Sequence, residues 1–240
     1  MTDRIYTCRV CGSVSTPERR VVFAEETRCA VCAGMLDLRD HLTQQQVPAV
    51  MMPRHTNFAP LEANGHRFIV ADDGLWIEVH RPWLHLVWPV AEAPMILPYG
   101  SVLADEMDFG FDCDGAEFKR LLGCFVTAAH DAMPNECAAW LVWDERNQRL
   151  GFIHLEPDTA SPGGITFQRP ALPDHQHLAV DLHSHGALAP FFSSTDDEDD
   201  AGEVKLSYVL GNVGTAEEGW SARLCAHGLF ISFDDDGSDA

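Results

Sequence analysis

The sequence predicts an α/β fold preceded by a small N-terminal zinc ribbon, on three observations. Two Cys-x-x-Cys pairs lie near the N-terminus, at Cys8/Cys11 and Cys29/Cys32. A stretch from Ala116 carries the apolar period of an amphipathic helix. After it the chain becomes a succession of short apolar runs of strand length, separated by polar turns. A chain of 240 residues can hold one well-cored domain and a smaller module. Its 46% hydrophobic and 22% charged content exclude wholesale disorder.

The ribbon occupies residues 1–45. Two-residue spacing lets both thiolates of Cys8-x-x-Cys11 reach one metal, and seventeen residues return Cys29-x-x-Cys32 to complete a tetrahedron. Four thiolates close the coordination shell, so this zinc is expected to be structural. A pair of redox dithiols is the alternative reading. So short a module has little core, and metal binding would supply its folding energy.

Residues 46–112 form a β-rich segment. Arg67–Val70 and Leu75–His80 read as a hairpin about the polar turn 71–74, and Trp83–Trp88 as a further strand bounded by Pro82 and Pro89. His80 and His85 read as surface or core histidines.

A third region, residues 113–233, begins with the helix. Phe118, Leu121, Leu122, Phe125, Val126 and Ala129 fall on one helical face, and Pro134 lies just past its end. Ala138–Trp143 and Leu150–Leu155 read as strands joined by the turn 144–148. A Gly/Pro loop at 161–164 leads to a strand at Leu178–His185, and Lys205–Leu210 and a last hairpin through Phe230 follow. The acidic tail, 234–240, is expected to be disordered.

The formal net charge is −21. Residues 1–45 hold six basic and six acidic residues, so all of it falls on residues 46–240. Such a surface argues against nucleic acid, whose phosphates need clustered Lys and Arg. No run of eighteen apolar residues predicts a membrane span. The N-terminal arginines have no apolar h-region behind them, so no secretory signal is expected, and the expected compartment is the cytoplasm. Only two lysines occur, Lys119 and Lys205, against fourteen arginines, a bias assigned to nucleotide composition.

The informative segment is Asp181-Leu-His-Ser-His-Gly186 continuing to Asp196. On a strand His183 and His185 point to one side, and two imidazoles with the Asp196 carboxylate leave a zinc ion one open position for water. His175-Gln-His177 repeats the histidine pair without a Ser-x-x-Asp at matching distance. Thr195, before an acidic run, reads as a helix cap. Asp181 is either a partner of the histidines or a surface residue. Cys113, Cys124, Cys137 and Cys225 read as structural thiols rather than nucleophiles.

His-x-His, seven residues, Ser, two residues, Asp resembles the motif of JAMM metallopeptidases, with His183, His185, Ser193 and Asp196 in register. Ser194 and Asp197 also satisfy Ser-x-x-Asp, one residue later; the family's seven-residue spacer selects Ser193 and Asp196. The resemblance implies a JAB/MPN-type, cytidine-deaminase-like mixed sheet with flanking helices. It also implies a glutamate at the start of a buried strand, where Pro134-Asn-Glu136-Cys-Ala-Ala-Trp140 offers Glu136. Glu136 would be the general base and Ser193 would donate to the oxyanion.

More widely, Pro48 to Pro53, Gly74-Leu-Trp-Ile-Glu78, Arg81-Pro-Trp83, Pro98-Tyr-Gly100, Ala138-Ala-Trp140 and Phe191-Phe-Ser193 running into Asp196–Asp200 resemble the PRTRC system protein A family, over roughly residues 45–230. That resemblance implies a bacterial cassette with a ubiquitin-like protein and a ThiF-like activating enzyme. The expected function is a peptidase or isopeptidase acting after the C-terminus of the ubiquitin-like protein, with one catalytic and one structural zinc. A catalytically silent MPN scaffold and a sulfur-carrier-processing hydrolase are the alternatives.

Overall fold

The computed structural model describes residues 48–233 in full, with only the backbone of five short strands before them. These are β1 (Tyr6–Cys8), β2 (Val14–Ser15), β3 (Arg20–Phe23), β4 (Glu26–Cys29) and β5 (Leu36–Asp37). The four cysteine side chains of the expected ribbon and the tail 234–240 lie outside the described residues. The chain divides into two compact units, Met1–Glu78 with Val87–Asp105, and Val79–Leu86 with Glu106–Ala240. Among the described residues no helix is long and apolar enough to cross a membrane.

In the first unit, β6 (Ala49–Met51) pairs in parallel with β7 (Gly65–Val70). The strands that follow are β8 (Gly74–Arg81), β9 (Leu84–Glu92) and β10 (Glu106–Phe109), of which Gly74–Glu78 and Val87–Glu92 belong to the first unit. Ile69, Ala71, Trp76 and Val87 form the first unit's core. Within it Glu78 is fully buried, and its charge is met by Arg67 Nε at 2.6 Å and by the Leu61 N–H at 2.7 Å. Pro89 does not end its strand, as expected from the sequence, but lies inside β9. A proline is tolerated in a strand where its N–H is not needed by the ladder.

The second unit is built on a six-stranded mixed sheet, in the order β12-β11-β15-β16-β17-β18. Its strands are β11 (Ala138–Asp144), β12 (Arg149–Leu155), β15 (Gln176–Ser184), β16 (Val204–Gly211), β17 (Gly219–Ala226) and β18 (Leu229–Ser232). β11 lies between two neighbours and is buried along nearly its whole length, which is why Ala138-Ala-Trp-Leu-Val-Trp143 is an unbroken apolar run. The helix α1 (Ala116–Ala132) buries Phe118, Leu121, Phe125 and Ala129. Phe118 and Phe125 meet the rings of Tyr208 and Trp220, so α1 covers one face of β16 and β17.

The opposite face carries the polar residues. Register pairs Ala138 with His183, Trp140 with Asp181, Asp181 with Ser207, Ser207 with Arg223, and Lys205 with Cys225. Paired residues share a face and the pleat repeats every second residue, so all of these project away from α1. On that side Ile165 and Phe167 pack on a cluster of Ala138, Trp140, Val142 and Leu155. They belong to a hairpin of β13 (Pro157–Ser161) and β14 (Gly164–Phe167). The sequence reading made the Gly163-Gly164 region a plain loop. β13 is short and largely exposed, and the four residues of β14 offer only Ile165 and Phe167 as an apolar alternation, too little to mark a strand.

β15 and β16 run parallel, so the chain between them must cross over. That crossover, residues 185–203, contains the short helix α2 (Ser194–Asp200).

Candidate metal centre

The two histidines sit at the C-terminal end of β15, where a parallel α/β arrangement opens a crevice. Ser184 is held between them and β11: its N–H donates to the Cys137 carbonyl, and its hydroxyl accepts from the Cys137 N–H, both at 3.0 Å. The His185 N–H donates to the Leu210 carbonyl at 2.8 Å, extending the parallel pairing one residue past β15. The strand geometry thereby continues through His185, and the Nε2 atoms of His183 and His185 face each other at 3.2 Å.

The chain then turns sharply. Gly186 has φ +54°, and a Cβ there would stand 3.2 Å from the Pro134 carbonyl oxygen, so glycine suits this corner. Residues 187–192 return over the end of β16, close to Gly211. A Cβ at Gly211 would lie 2.1 Å from Pro190 N. The return delivers Ser193 as N-cap of α2, with Asp196 at the third helical position. Ser193 and Asp196 form a capping box: the Ser193 N–H and hydroxyl donate to Asp196 Oδ2 at 2.6 and 2.7 Å, and the Asp196 N–H donates back to Ser193 Oγ at 3.3 Å. The cap is therefore Ser193 and not Thr195. The helix begins two residues earlier than expected because the serine can exchange bonds with the Asp196 carboxylate three positions on.

Asp196 Oδ1 lies 3.4 Å from His183 Nε2. His183, His185 and Asp196 thus offer three ligand atoms within 4.8 Å of one another. Atoms bound to one tetrahedral zinc at its usual bond lengths stand roughly 3.3 Å apart. The His183–His185 and His183–Asp196 separations, 3.2 and 3.4 Å, fit that edge. Metal ligation also needs neutral imidazole. Burial, reinforced by the neighbouring His183, holds His185 below the ordinary histidine value. Two imidazoles and one carboxylate oxygen form a donor set that a zinc ion can take, with a fourth position left for water.

Glu136 lines the same cleft, about 270 Å³ in volume, without joining the three-atom group. Its N–H donates to the Ser161 carbonyl at 3.0 Å, tying the start of β11 to the β13–β14 hairpin. The residue is only 8% exposed. Burial, followed by the Asp196 carboxylate, pushes Glu136 up to about 7. A carboxyl that changes protonation near neutral pH, in one cleft with His183, His185 and Asp196, is suited to proton transfer.

Other sequence readings resolve differently. His175 and His177 face Asp144 and Glu145, the latter at 2.8 Å, and among the described residues neither belongs to a metal-binding group. His85 stands with Glu106 and Asp108 in a second His/carboxylate group, whose two acids are exposed. Cys137 and Cys225 are buried, but Cys124 is exposed on α1. Asp181, expected either to partner the histidines or to lie on the surface, is half-buried and accepts from Lys205 Nζ at 2.7 Å instead.

Sequence reasoning missed Lys205 and Arg223. Lys205 is 3% exposed and also reaches Asp200 at 2.9 Å and Glu203 at 3.1 Å. Arg223 is 6% exposed and meets Asp197 at 2.5 Å and Asp200 at 2.7 Å. Burial alone would raise Asp200; the Lys205 charge and hydrogen bonds from Lys205 and Arg223 outweigh it and hold this carboxyl below its usual value. The available signal was five consecutive acids, Asp196–Asp200, followed by single cations in otherwise apolar strands.

Residues 118–225 match a family model described as prokaryotic homologs of the JAB domain. Residues 37–109 match one described as a domain of unknown function (DUF2016). No curated protein matches the chain. The first match runs from α1 into β17 and takes in Glu136, His183, His185, Ser193 and Asp196.

Proposed function

We propose that the chain is a zinc-dependent peptidase or isopeptidase hydrolysing the bond after the C-terminal residue of a ubiquitin-like protein, in a bacterial cassette with a ThiF-like activating enzyme. The observation that carries this reading is the grouping of His183 Nε2, His185 Nε2 and Asp196 Oδ1 beside Glu136 in one cleft. The match to prokaryotic homologs of the JAB domain supports the domain type. The partner classes follow from the resemblance to the PRTRC system protein A family.

His183, His185 and Asp196 would hold the zinc. When bound, zinc supplies Lewis acidity that polarises the scissile carbonyl and acidifies water. Glu136 takes a proton from the water whose oxygen bonds to the carbonyl carbon, and returns it to the nitrogen as the carbon–nitrogen bond breaks. Ser193 orients Asp196 through its N–H and hydroxyl. To donate to the oxyanion as well, the hydroxyl must turn away from Asp196 Oδ2 while the N–H keeps the carboxylate in place.

The test is cleavage of a fusion carrying the C-terminal tail of the cassette's ubiquitin-like protein, with zinc content measured on the same samples. His183→Ala/His185→Ala is expected to lose about one zinc per chain and all cleavage. An unchanged zinc count would remove the metal assignment. Zinc bound at these residues without cleavage of any fusion would select the silent scaffold. Release of a small adduct from the partner's tail, with the peptide bonds intact, would select the sulfur-carrier hydrolase.

A further inference from the structure

We infer that Arg223 is a positioning residue for the carboxylate of Asp196, acting through α2; the inference rests on the metal site proposed above. α2 has seven residues, and its last five, Asp196–Asp200, are all acidic. Isolated helices shorter than about 12–15 residues are marginal. Like charges at i and i+4, here Asp196 and Asp200, repel. Negative charge at the C-terminal end opposes the helix dipole, and the last turn holds no basic residue. Such a segment takes its place from what grips it.

Two grips are present. Ser193 caps the N-terminus. At the other end Asp200 is divided between two buried cations, with Oδ1 on Lys205 and Oδ2 on Arg223. Arg223 reaches further than Lys205. Its Nη1 binds Asp197 Oδ1 at 2.5 Å, while Nη2 and Nε bind Asp200 Oδ2 at 2.7 and 3.2 Å. The guanidinium carbon also lies 3.8 Å from the ring centre of Phe192 and 4.1 Å from that of Phe230. Phe192 immediately precedes the cap and Asp197 immediately follows Asp196. One planar group therefore holds the chain on both sides of the Ser193–Asp196 box.

Lysine cannot replace it in this role. An ammonium would restore the charge but neither the fork that spans Asp197 and Asp200 nor the flat faces that stack on phenylalanine. Asp196 Oδ1 must stay beside His183 Nε2 for three atoms to share one ion. A shift of α2 would open that separation while the sheet and its histidines stayed in place.

The test uses the full-length chain and Co²⁺ as the probe. Binding at this site is taken as the difference from His183→Ala/His185→Ala, which cancels any metal held by the N-terminal cysteines. Arg223→Lys is expected to unfold cooperatively without metal, yet to bind Co²⁺ about 10–100-fold more weakly, with altered visible absorption bands. Asp197, whose side chain is 49% exposed, gives a milder variant, and Asp197→Asn is expected to move both readouts the same way by less. Wild-type affinity and absorption in Arg223→Lys and Asp197→Asn would overturn the inference. If Arg223→Lys does not fold, Asp197→Asn and Phe192→Leu decide, and unchanged binding in both overturns it. If the wild type binds no more Co²⁺ than His183→Ala/His185→Ala, the metal site itself fails, a result distinct from failure of the positioning role.

Discussion

Ser193 donates twice to one oxygen of Asp196, from its N–H at 2.6 Å and its hydroxyl at 2.7 Å, while the other oxygen lies 3.4 Å from His183 Nε2. The carboxylate is thereby split, Oδ2 serving the helix cap and Oδ1 the cleft. A metal-binding carboxylate whose second oxygen is fixed by hydrogen bonds loses little freedom when it ligates. The same serine starts α2, so the local folding signal and the proposed ligand geometry are one set of bonds.

Ser193→Ala removes the cap's side-chain bonds but leaves its N–H. A lost serine cap costs about 1 kcal/mol of stability. Metal affinity is expected to fall by roughly tenfold, the low end for an orienting partner. Turnover at saturating zinc separates the two roles given to Ser193. Recovery to near wild type marks a residue that only orients Asp196. A deficit of about 10²-fold or more with the metal site full marks a donor to the oxyanion.

Glu136→Gln is expected to keep fold and zinc while losing about 10² to 10⁴ in turnover, since the amide cannot accept the proton. Asp196→Asn is expected to lose zinc together with activity. Zinc analysis alongside the cleavage assay checks both. Near-normal turnover in Glu136→Gln would move the proton transfer to another group, and zinc loss would make Glu136 a ligand.

The parts of this site that were legible are those whose chemistry is written in spacing. His183 and His185 are two residues apart, so alternation puts them on one side of a strand; the choice of Ser193 and Asp196 over Ser194 and Asp197 came from the spacer of the JAMM motif that the segment resembles. The strands β11, β12, β15 and β16 announce themselves as apolar runs. The β13–β14 hairpin did not, because Pro157–Ser161 is largely exposed, Gly164–Phe167 carries only two apolar side chains, and their pairing is a backbone matter. Lys205 and Arg223 were illegible for another reason. A cation in an apolar strand has meaning only with its counter-charge, and register brings both to the face on which Asp200 lies. Periodicity within one strand does not report a partner on another element, whether Asp200 five residues before Lys205 or the same Asp200 twenty-three residues before Arg223.

Removal of metal gives a pH-dependent stability with a definite sign. An ordinary glutamate titrates at 4.5, whereas folded Glu136 is pushed up to about 7, first by burial and then by Asp196. Between those values the unfolded chain is ionised and the folded one still holds the proton. The folded state therefore binds more protons, and stability falls as pH rises from about 4.5 to about 7. Thermal unfolding of chelator-treated protein is expected to show this fall in the difference between wild type and Glu136→Gln. Zinc at Asp196 offsets the second cause and is expected to shrink the difference. Parallel pH profiles for the two metal-free proteins would contradict the raised value.

Gly211 tests whether the return loop sets the site. A Cβ there would stand 2.1 Å from Pro190 N and 2.4 Å from the Ala189 carbonyl carbon, both backbone atoms that no rotamer change can clear. Gly211→Ala must therefore displace the loop from His185 to Ser193 or the end of β16. Overpacking of this kind costs roughly 1–3 kcal/mol. Bonds that hold the loop to the end of β16 and the residues after it include those from the Asn212 N–H to the Leu188 carbonyl at 2.7 Å and from the Val213 N–H to the Gly186 carbonyl at 2.8 Å. It is expected to yield before the sheet does. Zinc affinity should then drop along with stability, because Ser193 and Asp196 move relative to the histidines. Gly202→Ala is the matched control: a Cβ there meets nothing within 4 Å, and it is expected to leave zinc binding as it is. Metal titration and thermal unfolding of both variants check this, and full zinc affinity in a destabilised Gly211→Ala would show that the loop does not fix the ligand geometry.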